Sequence, residues 1–239
     1  MKLFNTAAPH IQDSYDTKII WPFGPCIYQT IIEDDLKDSL LTGGRIIQEN
    51  DQDYRLNLAG NLYNGGSYFY GEKYKERIAP AFINLALQWL EYMKENFGIN
   101  SVDFTPGHEF DPNSVYLESL WINFQRKFDL NPIHNHRGII SFVVYLQVPE
   151  EIFEVQMTSN TQKAGEILFY YGESASPLSH SQYAVKPFDN LLLMFPASLN
   201  HTVYPFWIDA ERISVSGNID LRQTYRRHST DSHHESRII

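Results

Sequence analysis

The second half of the chain is a succession of short strand-like runs separated by turn residues, and this feature constrains the fold most. Seven such runs are predicted, at residues 115–128, 139–148, 166–171, 182–188, 191–195, 201–206 and 212–220. Short strands at this spacing are typical of β-sandwiches and jelly rolls. The run from Ile139 to Val148 is almost continuously apolar, which predicts a strand buried on both faces.

One strong helix is predicted before these strands, from Lys73 to Phe97. Its apolar residues recur at intervals of three and four and therefore share one face: Ile78, Phe82, Leu85, Trp89 and Met93. We expect that face to pack on the outside of a sheet, and Gly98 to end the helix.

Shorter elements are predicted upstream of this helix. Two short strands come first, at residues 18–22 and 25–32. A short helix follows from Glu33 to Leu41, and Gly43 and Gly44 are expected to end it. Residues 48–71 are rich in Asn, Gly and Tyr and are interpreted as one long loop. Such a loop is either a mobile lid over a site or a surface loop pinned by its tyrosines.

The composition is that of a globular protein. The chain has 239 residues, of which 43% are hydrophobic, and this is enough for one sizeable core. We expect a single domain, residues 1–239, with a β-core at about 115–220, N-terminal strands and helices at 18–98 and a polar tail at 222–239. The net charge of -10 argues against nucleic acid as a general partner.

The cysteine content and the apolar runs bear on the location of the protein. Cys26 is the only cysteine, so no internal disulfide is possible, which suits a reducing cytosol. The N-terminus lacks the apolar core of a signal peptide, and no run approaches the ~18 apolar residues of a membrane span. We therefore expect a cytoplasmic protein without a membrane partner.

Two histidines stand shortly before the apolar run. His134 and His136 are two residues apart, so on an extended strand their side chains point the same way, while Asn135 faces the opposite side. Two imidazoles that converge from one strand edge form a metal-binding geometry. A second segment, Phe195 to Val203, places His201 after another strand and a proline turn. The alternative is that the first two histidines are hydrogen-bonded in a surface turn.

Three motifs in this order carry a resemblance to a known family. They are His-x-His before a β-run, Phe-Pro-x-x-Leu-x-His-x-Val from Phe195, and Glu-Arg-x-Ser-x-Ser-x-Asn from Glu211. Together they resemble the 2-oxoglutarate- and Fe(II)-dependent oxygenases, most closely the small prolyl-hydroxylase-like branch, many of whose members are virus-encoded. The resemblance covers Leu120 to Ile219, about two fifths of the chain.

The resemblance implies a fold and an activity. The fold is a double-stranded β-helix, a jelly roll of the cupin type, with one long and one short N-terminal helix packed outside. The activity is that of a dioxygenase, which uses Fe(II), 2-oxoglutarate and dioxygen to hydroxylate a C–H bond. The substrate that it suggests is a protein or peptidyl-proline side chain, and a virus-encoded member would act in the host cytoplasm.

For the metal, the resemblance implies ligation by His134, His136 and His201. The commoner family pattern has an acid at the position of His136, so a histidine there leaves the centre one positive charge richer. Asp189 is the alternative source of a carboxylate ligand, from outside the motifs. No catalytic residue is predicted beyond the metal centre.

For the cosubstrate, the resemblance implies that Arg212 holds the distal carboxylate of 2-oxoglutarate, because a guanidinium can donate two parallel hydrogen bonds. Ser214 lies two residues further, on the same strand face, and can share that carboxylate. The alternative for Arg212 is an ordinary ion pair with Glu211 or Asp209. Further cosubstrate candidates are Tyr145, Asn123 and Asn218. The substrate mouth is expected to be lined by Trp121 and Trp207.

Two other classes of function stay open on the sequence alone. A cupin-like enzyme would use the same three histidines with iron or zinc and without 2-oxoglutarate. A jelly roll without catalysis would serve as a binding module. Arg212 distinguishes an oxygenase from the first class, since a cosubstrate anchor has no role in a simple cupin. The metal content of the purified protein distinguishes an oxygenase from the second class.

Overall fold

A computed structural model of the protein describes residues 18–20, 24–50, 53–97, 111–154, 164–172 and 181–222. Within these ranges the chain forms two α-helices, α1 (Asp34–Asn50) and α2 (Glu72–Phe97). The strands in the same ranges are β1 (Lys18–Ile20), β2 (Ile27–Ile31), β3 (Gly66–Phe69), β4 (Val115–Arg126), β5 (Asn131–His134), β6 (Ile140–Gln147), β7 (Ile167–Tyr170), β8 (Gln182–Val185), β9 (Leu191–Pro196), β10 (Asn200–Val203) and β11 (Glu211–Leu221).

The strands form two antiparallel sheets. A seven-stranded sheet has the order β1-β2-β9-β6-β11-β4-β3, and a four-stranded sheet has the order β5-β10-β7-β8. The long strand β11 lies between β4 and β6 and is paired with both along most of its length. Two packed antiparallel sheets are the architecture of a jelly roll, so the prediction of a mainly β double-stranded β-helix is confirmed.

One hydrophobic core lies between the two sheets. The seven-stranded sheet contributes Val143, Tyr145, Leu191, Leu193 and Phe195. The four-stranded sheet contributes Ile167, Phe169, Val185 and Val203. Because alternate residues of a strand face opposite sides, the intervening residues of β6 and β9 are free to face the helices.

A second core lies where the helices cover the outer face of the seven-stranded sheet. Phe82 of α2 stacks on Phe142 of β6, with ring centroids 4.3 Å apart. Trp89 and Met93 of α2 are buried in the same cluster. The apolar face predicted from the periodicity of this helix is therefore confirmed as a packing surface on the outside of the sheet.

All seven strands predicted from Val115 onward are present, with small differences at their ends. The sequence analysis missed an eighth, β5 (Asn131–His134). This strand is only four residues long and contains Pro132, which lowers its apparent strand propensity. It lies at the edge of the four-stranded sheet, where proline is tolerated because one side of the strand is not paired within the sheet.

The prediction that Gly43 and Gly44 end a short helix is wrong, because α1 continues through both residues to Asn50. A Cβ atom at Gly44 would lie 2.1 Å from Ile122 Cδ1, and one at Gly43 would lie 2.7 Å from the ring of Tyr74. The glycines therefore allow α1 to approach the sheet and α2 closely. This packing outweighs their low helix propensity, since each glycine makes a helix about 1 kcal/mol less stable than alanine does.

Residues 48–71 are not one long loop. Residues 48–50 belong to α1, and Gly66–Phe69 form β3, which pairs with β4. Between these elements the Arg55 guanidinium donates to main-chain oxygens of Leu62, Tyr63 and Gly65. The buried Asp129 carboxylate accepts the Asn64 N–H at 2.8 Å. The bonds of Arg55 thus fix the course of the connection itself, and the bond to Asp129 holds it against the turn after β4.

The tyrosines of this segment differ in how much they pack against neighbouring side chains. Tyr54 packs edge-on against Phe69, with ring centroids 5.5 Å apart, and Tyr68 packs against Phe124 at 5.9 Å. The side chain of Tyr63 is 85% exposed and therefore contributes little packing. The surface-loop interpretation therefore accounts for most of the described segment, and a lid function stays a prediction.

Neither of the two described helices has both the length and the hydrophobicity that crossing a membrane requires. The predicted helix stop at Gly98 and the polar tail beyond Arg222 lie outside the described residues.

Candidate metal centre and adjoining pocket

The three histidines of the first two motifs meet between the sheets. His134 ends β5, and His201 lies directly opposite it on β10. His136 follows two residues later, and its main-chain N–H donates to Ala197 O at 2.8 Å, which ties it to the turn before β10. One ring nitrogen from each histidine lies within 4.8 Å of the other two. Three imidazoles thus converge on one point.

The main chain fixes the tautomer of two of the rings. His134 Nδ1 lies 2.7 Å from Pro132 O, and His201 Nδ1 lies 3.0 Å from Leu199 O. A carbonyl oxygen can only accept a hydrogen bond, so each Nδ1 carries the proton and donates it. The lone pair of each Nε2 is therefore free for a metal, as is usual for histidine ligands with a supporting carbonyl.

Burial favours the neutral form of all three imidazoles. Desolvation lowers the pKa of His201 to about 3 and the pKa of His136 to about 4. Repulsion by a charged His134 acts in the same direction on both rings. Desolvation also lowers the pKa of His134. At neutral pH the cluster is uncharged, which is the state that a metal ion requires of its histidine ligands.

A cavity between the sheets connects the histidines with Arg212. Inward side chains of β4, β6 and β11 line one side, and those of β5, β7 and β10 line the other. No Asp or Glu side chain lines it within the part of the chain that the structure describes. Asp189 is not brought to the cavity, because its carboxylate accepts from Lys37 Nζ at 2.8 Å and from the Val148 N–H at 2.7 Å.

Arg212 is a buried cation with neutral hydrogen-bond partners. The residue is 2% exposed, Nη1 donates to Gly165 O, and Nη2 donates to Gln125 Oε1. Its Nε is buried and has no hydrogen-bond partner in the described part of the chain. Desolvation lowers the pKa of Arg212 from its ordinary value. Burying a guanidinium without a carboxylate is costly, and an anionic ligand in the cavity would offset that cost.

The ion-pair alternative for Arg212 is not what the structure shows. Glu211 faces the other side of β11 and accepts from two other arginines, Arg45 at 2.5 Å and Arg126 at 2.7 Å. Asp209 forms no ion pair with Arg212 in the described ranges. The positive charge of Arg212 is therefore not neutralised by either acid.

Three more of the predicted cosubstrate residues line the cavity. Ser214 lies opposite Asn123 of β4 and Tyr145 of β6, so the three side chains form one row across the sheet. The Tyr145 hydroxyl is buried and finds no hydrogen-bond partner among the residues that the structure describes. The centroid of its ring lies 5.6 Å from the Arg212 guanidinium carbon. Burial raises the pKa of Tyr145 to about 12, so the phenol keeps its proton and can donate it. Asn123 Oδ1 accepts from Ser67 Oγ at 2.6 Å.

Asn218 is not brought to the cavity. It lies further along β11, where its Oδ1 accepts from Ser141 Oγ at 2.7 Å and its Nδ2 donates to Ser119 Oγ at 2.9 Å. These bonds connect the three central strands and use much of the hydrogen-bonding capacity of the amide.

The two tryptophans near the motifs differ in position. Trp121 lines the cavity, and its ring centroid lies 5.8 Å from that of His136. Trp207 packs in a separate small cluster with Ile152, Ala164 and Phe206, so the expectation that it lines the mouth is wrong.

Several residues that line the cavity escaped the sequence analysis, among them Gln125, Asn131 and Leu62. Gln125 could have been found, since it lies two residues after Asn123 on the same strand and so shares its face. Asn131 and Leu62 could not, because they are placed by the missed strand β5 and by the bridge between Asn61 and Leu130. Local sequence patterns do not reveal such a long-range pairing.

Two packed antiparallel sheets with three histidines and a buried arginine between them define a double-stranded β-helix protein with a candidate metal centre. Residues 119–218 match the model of a family described as 2OG-Fe(II) oxygenases, which confirms the resemblance seen in the three motifs. Fe(II) and 2-oxoglutarate, the cofactors predicted from the sequence, are those of this family. No curated protein sequence matches the chain.

Solved structures of low sequence identity share the fold. A prolyl hydroxylase from Trichoplax adhaerens, in complex with a peptide fragment of the hypoxia inducible factor oxygen degradation domain, aligns with a TM-score of 0.50 at 14% identity, over 87% of this chain and 88% of that chain. JOX2 in complex with 2OG, Fe and JA aligns with a TM-score of 0.52 at 11% identity, over 85% and 69%. The epimerase SnoN from nogalamycin biosynthesis aligns with a TM-score of 0.51 at 11% identity, over 82% and 76%.

Proposed function

We propose that the protein is a 2-oxoglutarate- and Fe(II)-dependent dioxygenase that hydroxylates a C–H bond of its substrate. One observation carries the proposal: three neutral imidazoles and a buried arginine, which has no carboxylate partner among the described residues, line the same cavity. Imidazole nitrogens suit Fe(II), and an uncompensated guanidinium suits the distal carboxylate of a dianion. The residues present therefore fit both cofactors.

In this proposal His134, His136 and His201 hold the metal, and Arg212 and Ser214 hold the distal carboxylate of 2-oxoglutarate. When both are bound, they supply the oxidising power that inserts oxygen from dioxygen into a C–H bond, with succinate and carbon dioxide as the other products. No protein side chain is required to transfer a proton in this scheme. The part played by the chain is to bind, to orient and to exclude water.

The described contacts suit these tasks. The carbonyl oxygens of Pro132 and Leu199 hold two rings in the tautomer that exposes Nε2. Phe195 packs edge-on against His201, with ring centroids 4.8 Å apart, and so screens the ring from water. The Tyr145 hydroxyl lacks a protein partner and can donate a hydrogen bond to a bound carboxylate.

For the substrate we propose a protein or peptidyl-proline side chain. The Trichoplax prolyl hydroxylase, which shares the fold, was solved with a peptide fragment. In this chain, apolar side chains stand exposed next to residues that line the cavity. Tyr63, 85% exposed, follows Leu62 of the cavity wall, and Ile133, 60% exposed, precedes His134. Exposed apolar side chains on the segments that carry the cavity wall suit contacts with an extended peptide.

We also propose that residues 1–239 form one domain around this site and that the protein acts in a reducing cytosol, in line with its single cysteine. The viral origin that the sequence resemblance suggests stays a prediction. Of the other function classes, a cupin-like enzyme without 2-oxoglutarate leaves the buried charge of Arg212 without a role. A binding module without catalysis gives no role to the three histidines, which converge on one point and have two of their tautomers fixed.

The proposal is tested by the conversion of 2-oxoglutarate to succinate. The purified protein is incubated in air with Fe(II), ascorbate and 2-oxoglutarate, with and without proline-containing peptides. We expect slow succinate formation without peptide and faster formation with a true substrate. The His201→Ala variant, which lacks one candidate ligand, should form no succinate above the level of Fe(II) in buffer. Equal succinate formation by both proteins would refute the proposed function.

A further inference from the structure

Gln125 holds the Arg212 guanidinium in a way that leaves its charge intact. The two residues lie directly opposite each other on β4 and β11, and Arg212 Nη2 donates to Gln125 Oε1. The amide of Gln125 is itself fixed, because its Nε2 donates to Asp129 O at 2.6 Å. Its orientation is unambiguous, since a main-chain carbonyl can only accept and a guanidinium can only donate. The residue is 5% exposed, so water does not compete for these bonds.

The second acceptor for Arg212 is neutral as well. Nη1 donates to the main-chain oxygen of Gly165, which has a φ of 67°, a backbone conformation that favours glycine. The two terminal nitrogens are thus positioned by an amide and a peptide carbonyl. The neighbouring Glu211 shows the contrasting arrangement, because its carboxylate neutralises arginines on the outer face of the sheet.

We infer that Gln125 is a positioning residue for the cosubstrate, whose neutral side chain fixes Arg212 without cancelling the charge that selects a dianion. This inference rests on the proposed function and concerns the affinity for 2-oxoglutarate. A glutamate at this position would still accept from Arg212, but it would add one negative charge beside the cosubstrate carboxylate. A methionine of similar size would leave the charge of Arg212 intact and remove the hydrogen bond that orients it.

The two substitutions therefore separate charge from hydrogen bonding. If Gln125 served only to support the fold, each substitution would weaken the binding of 2-oxoglutarate and of 2-oxobutyrate alike, because both ligands have the same 2-oxo acid group. If it preserves the charge of Arg212, Gln125→Glu weakens 2-oxoglutarate binding more than Gln125→Met does. Neither substitution then changes the binding of 2-oxobutyrate, which lacks the distal carboxylate.

The experiment measures ligand binding by calorimetry to the full chain loaded with Mn(II) in place of iron, which prevents turnover. We expect Gln125→Glu to weaken 2-oxoglutarate binding at least tenfold and Gln125→Met to weaken it a few-fold. The affinity for 2-oxobutyrate and the Mn(II) content should equal those of the wild type in both variants. A Gln125→Glu variant with wild-type affinity for 2-oxoglutarate, or a larger loss in Gln125→Met, would overturn the inference.

One carboxylate oxygen of Gln125→Glu would face Asp129 O, so its fold is checked by circular dichroism. If it does not fold, Gln125→Met decides alone, because full 2-oxoglutarate affinity in that variant removes the positioning role. A wild-type protein that binds Mn(II) but not 2-oxoglutarate contradicts the proposed function itself. The two failures are therefore distinguishable.

Discussion

Arg212 and Glu211 are neighbours in sequence but face opposite sides of β11, and the two side chains have different surroundings. Glu211 is neutralised by Arg45 and Arg126, whereas Arg212 is buried and accompanied by neutral acceptors. A strand with period two places consecutive residues on opposite faces, so this separation follows from the backbone. The same alternation puts Ser214 on the cavity side with Arg212.

The first prediction concerns Arg212. Truncating one partner of a buried charge pair typically costs about 2–5 kcal/mol of binding energy, so Arg212→Ala should weaken 2-oxoglutarate binding severely. Arg212→Lys should also raise the 2-oxoglutarate requirement strongly, because an ammonium cannot donate two parallel hydrogen bonds. Iron content should survive in both variants. Arg77→Lys on the exposed surface of α2 is the matched control, and unchanged 2-oxoglutarate affinity in Arg212→Ala would remove the assigned role.

The second prediction concerns His136, the histidine at the position where the motif resemblance leads one to expect an acid. His136→Ala should lose iron and activity together, because it removes one of three converging donors. His136→Asp should keep iron, since two histidines and a carboxylate form the common facial arrangement. The added negative charge should lower the affinity for the dianionic cosubstrate. Metal analysis and 2-oxoglutarate turnover are measured for both variants, and full iron content in His136→Ala would show that His136 is not a ligand.

At the scale of the secondary-structure elements, periodicity predicted well where one side of an element is buried. The apolar face of α2 is an example, because burial of one face imposes a period on the sequence. Strand β6 is buried on both faces and was predicted from its nearly continuous apolar run instead. The pattern failed where tertiary contacts outweigh local preference. Gly43 and Gly44 have poor helix propensity, yet α1 continues through them. Without side chains at these positions α1 packs closely against Ile122 and Tyr74, and this packing outweighs the poor propensity.

In the candidate site, too, local sequence patterns predicted some residues, while others depend on tertiary contacts. His134 and His136 were singled out by their spacing on a strand, whereas the roles of His201 and Arg212 were expected from the resemblance of their motifs to a known family. Gln125 has the right period but was overlooked, whereas Leu62 depends on the connection before β3, whose course is set by Arg55 and Asp129. The hydrogen bond from Asn64 to Asp129 joins residues 65 positions apart, and such a long-range contact leaves no local signal.

The third prediction tests that connection at Gly65. A Cβ atom at Gly65 would lie 1.8 Å from the main-chain oxygen of Phe124 in β4, and backbone atoms cannot move aside cheaply. Gly65→Ala should therefore lower the free energy of unfolding by about 1–3 kcal/mol. Gly71→Ala is the matched control, because nothing lies within 4 Å of a Cβ atom there. Urea denaturation measures both variants, and equal stability would contradict the close approach of the connection to β4.

At the scale of the whole molecule, the site lowers the stability of the metal-free protein at acidic pH, because the fold buries three imidazoles in their neutral form. The pKa of His136 is lowered to about 4 in the folded state, against about 6.5 in an unfolded chain. As the pH falls below about 6.5, the unfolded state takes up the proton first, so stability is lost on acidification and is unaffected above that pH.

The fourth prediction follows from this difference in protonation. Between pH 7.5 and 5, the metal-free wild-type protein should lose about 2 kcal/mol more stability than His136→Gln, which has no proton to take up at this position. Urea denaturation at the two pH values measures the difference. Parallel losses in the two proteins would show that His136 is not held neutral by the fold.

The central claim is that His134, His136, His201 and Arg212 form one centre for Fe(II) and 2-oxoglutarate. The most direct test is an anaerobic titration of the metal-free protein with Fe(II) and then with 2-oxoglutarate, followed by visible absorption. The account predicts one Fe(II) per chain and a charge-transfer band that saturates with 2-oxoglutarate, needs far more of it in Arg212→Lys, and is absent in His201→Ala. A wild-type protein without the band, or a band of equal strength in His201→Ala, would contradict the account.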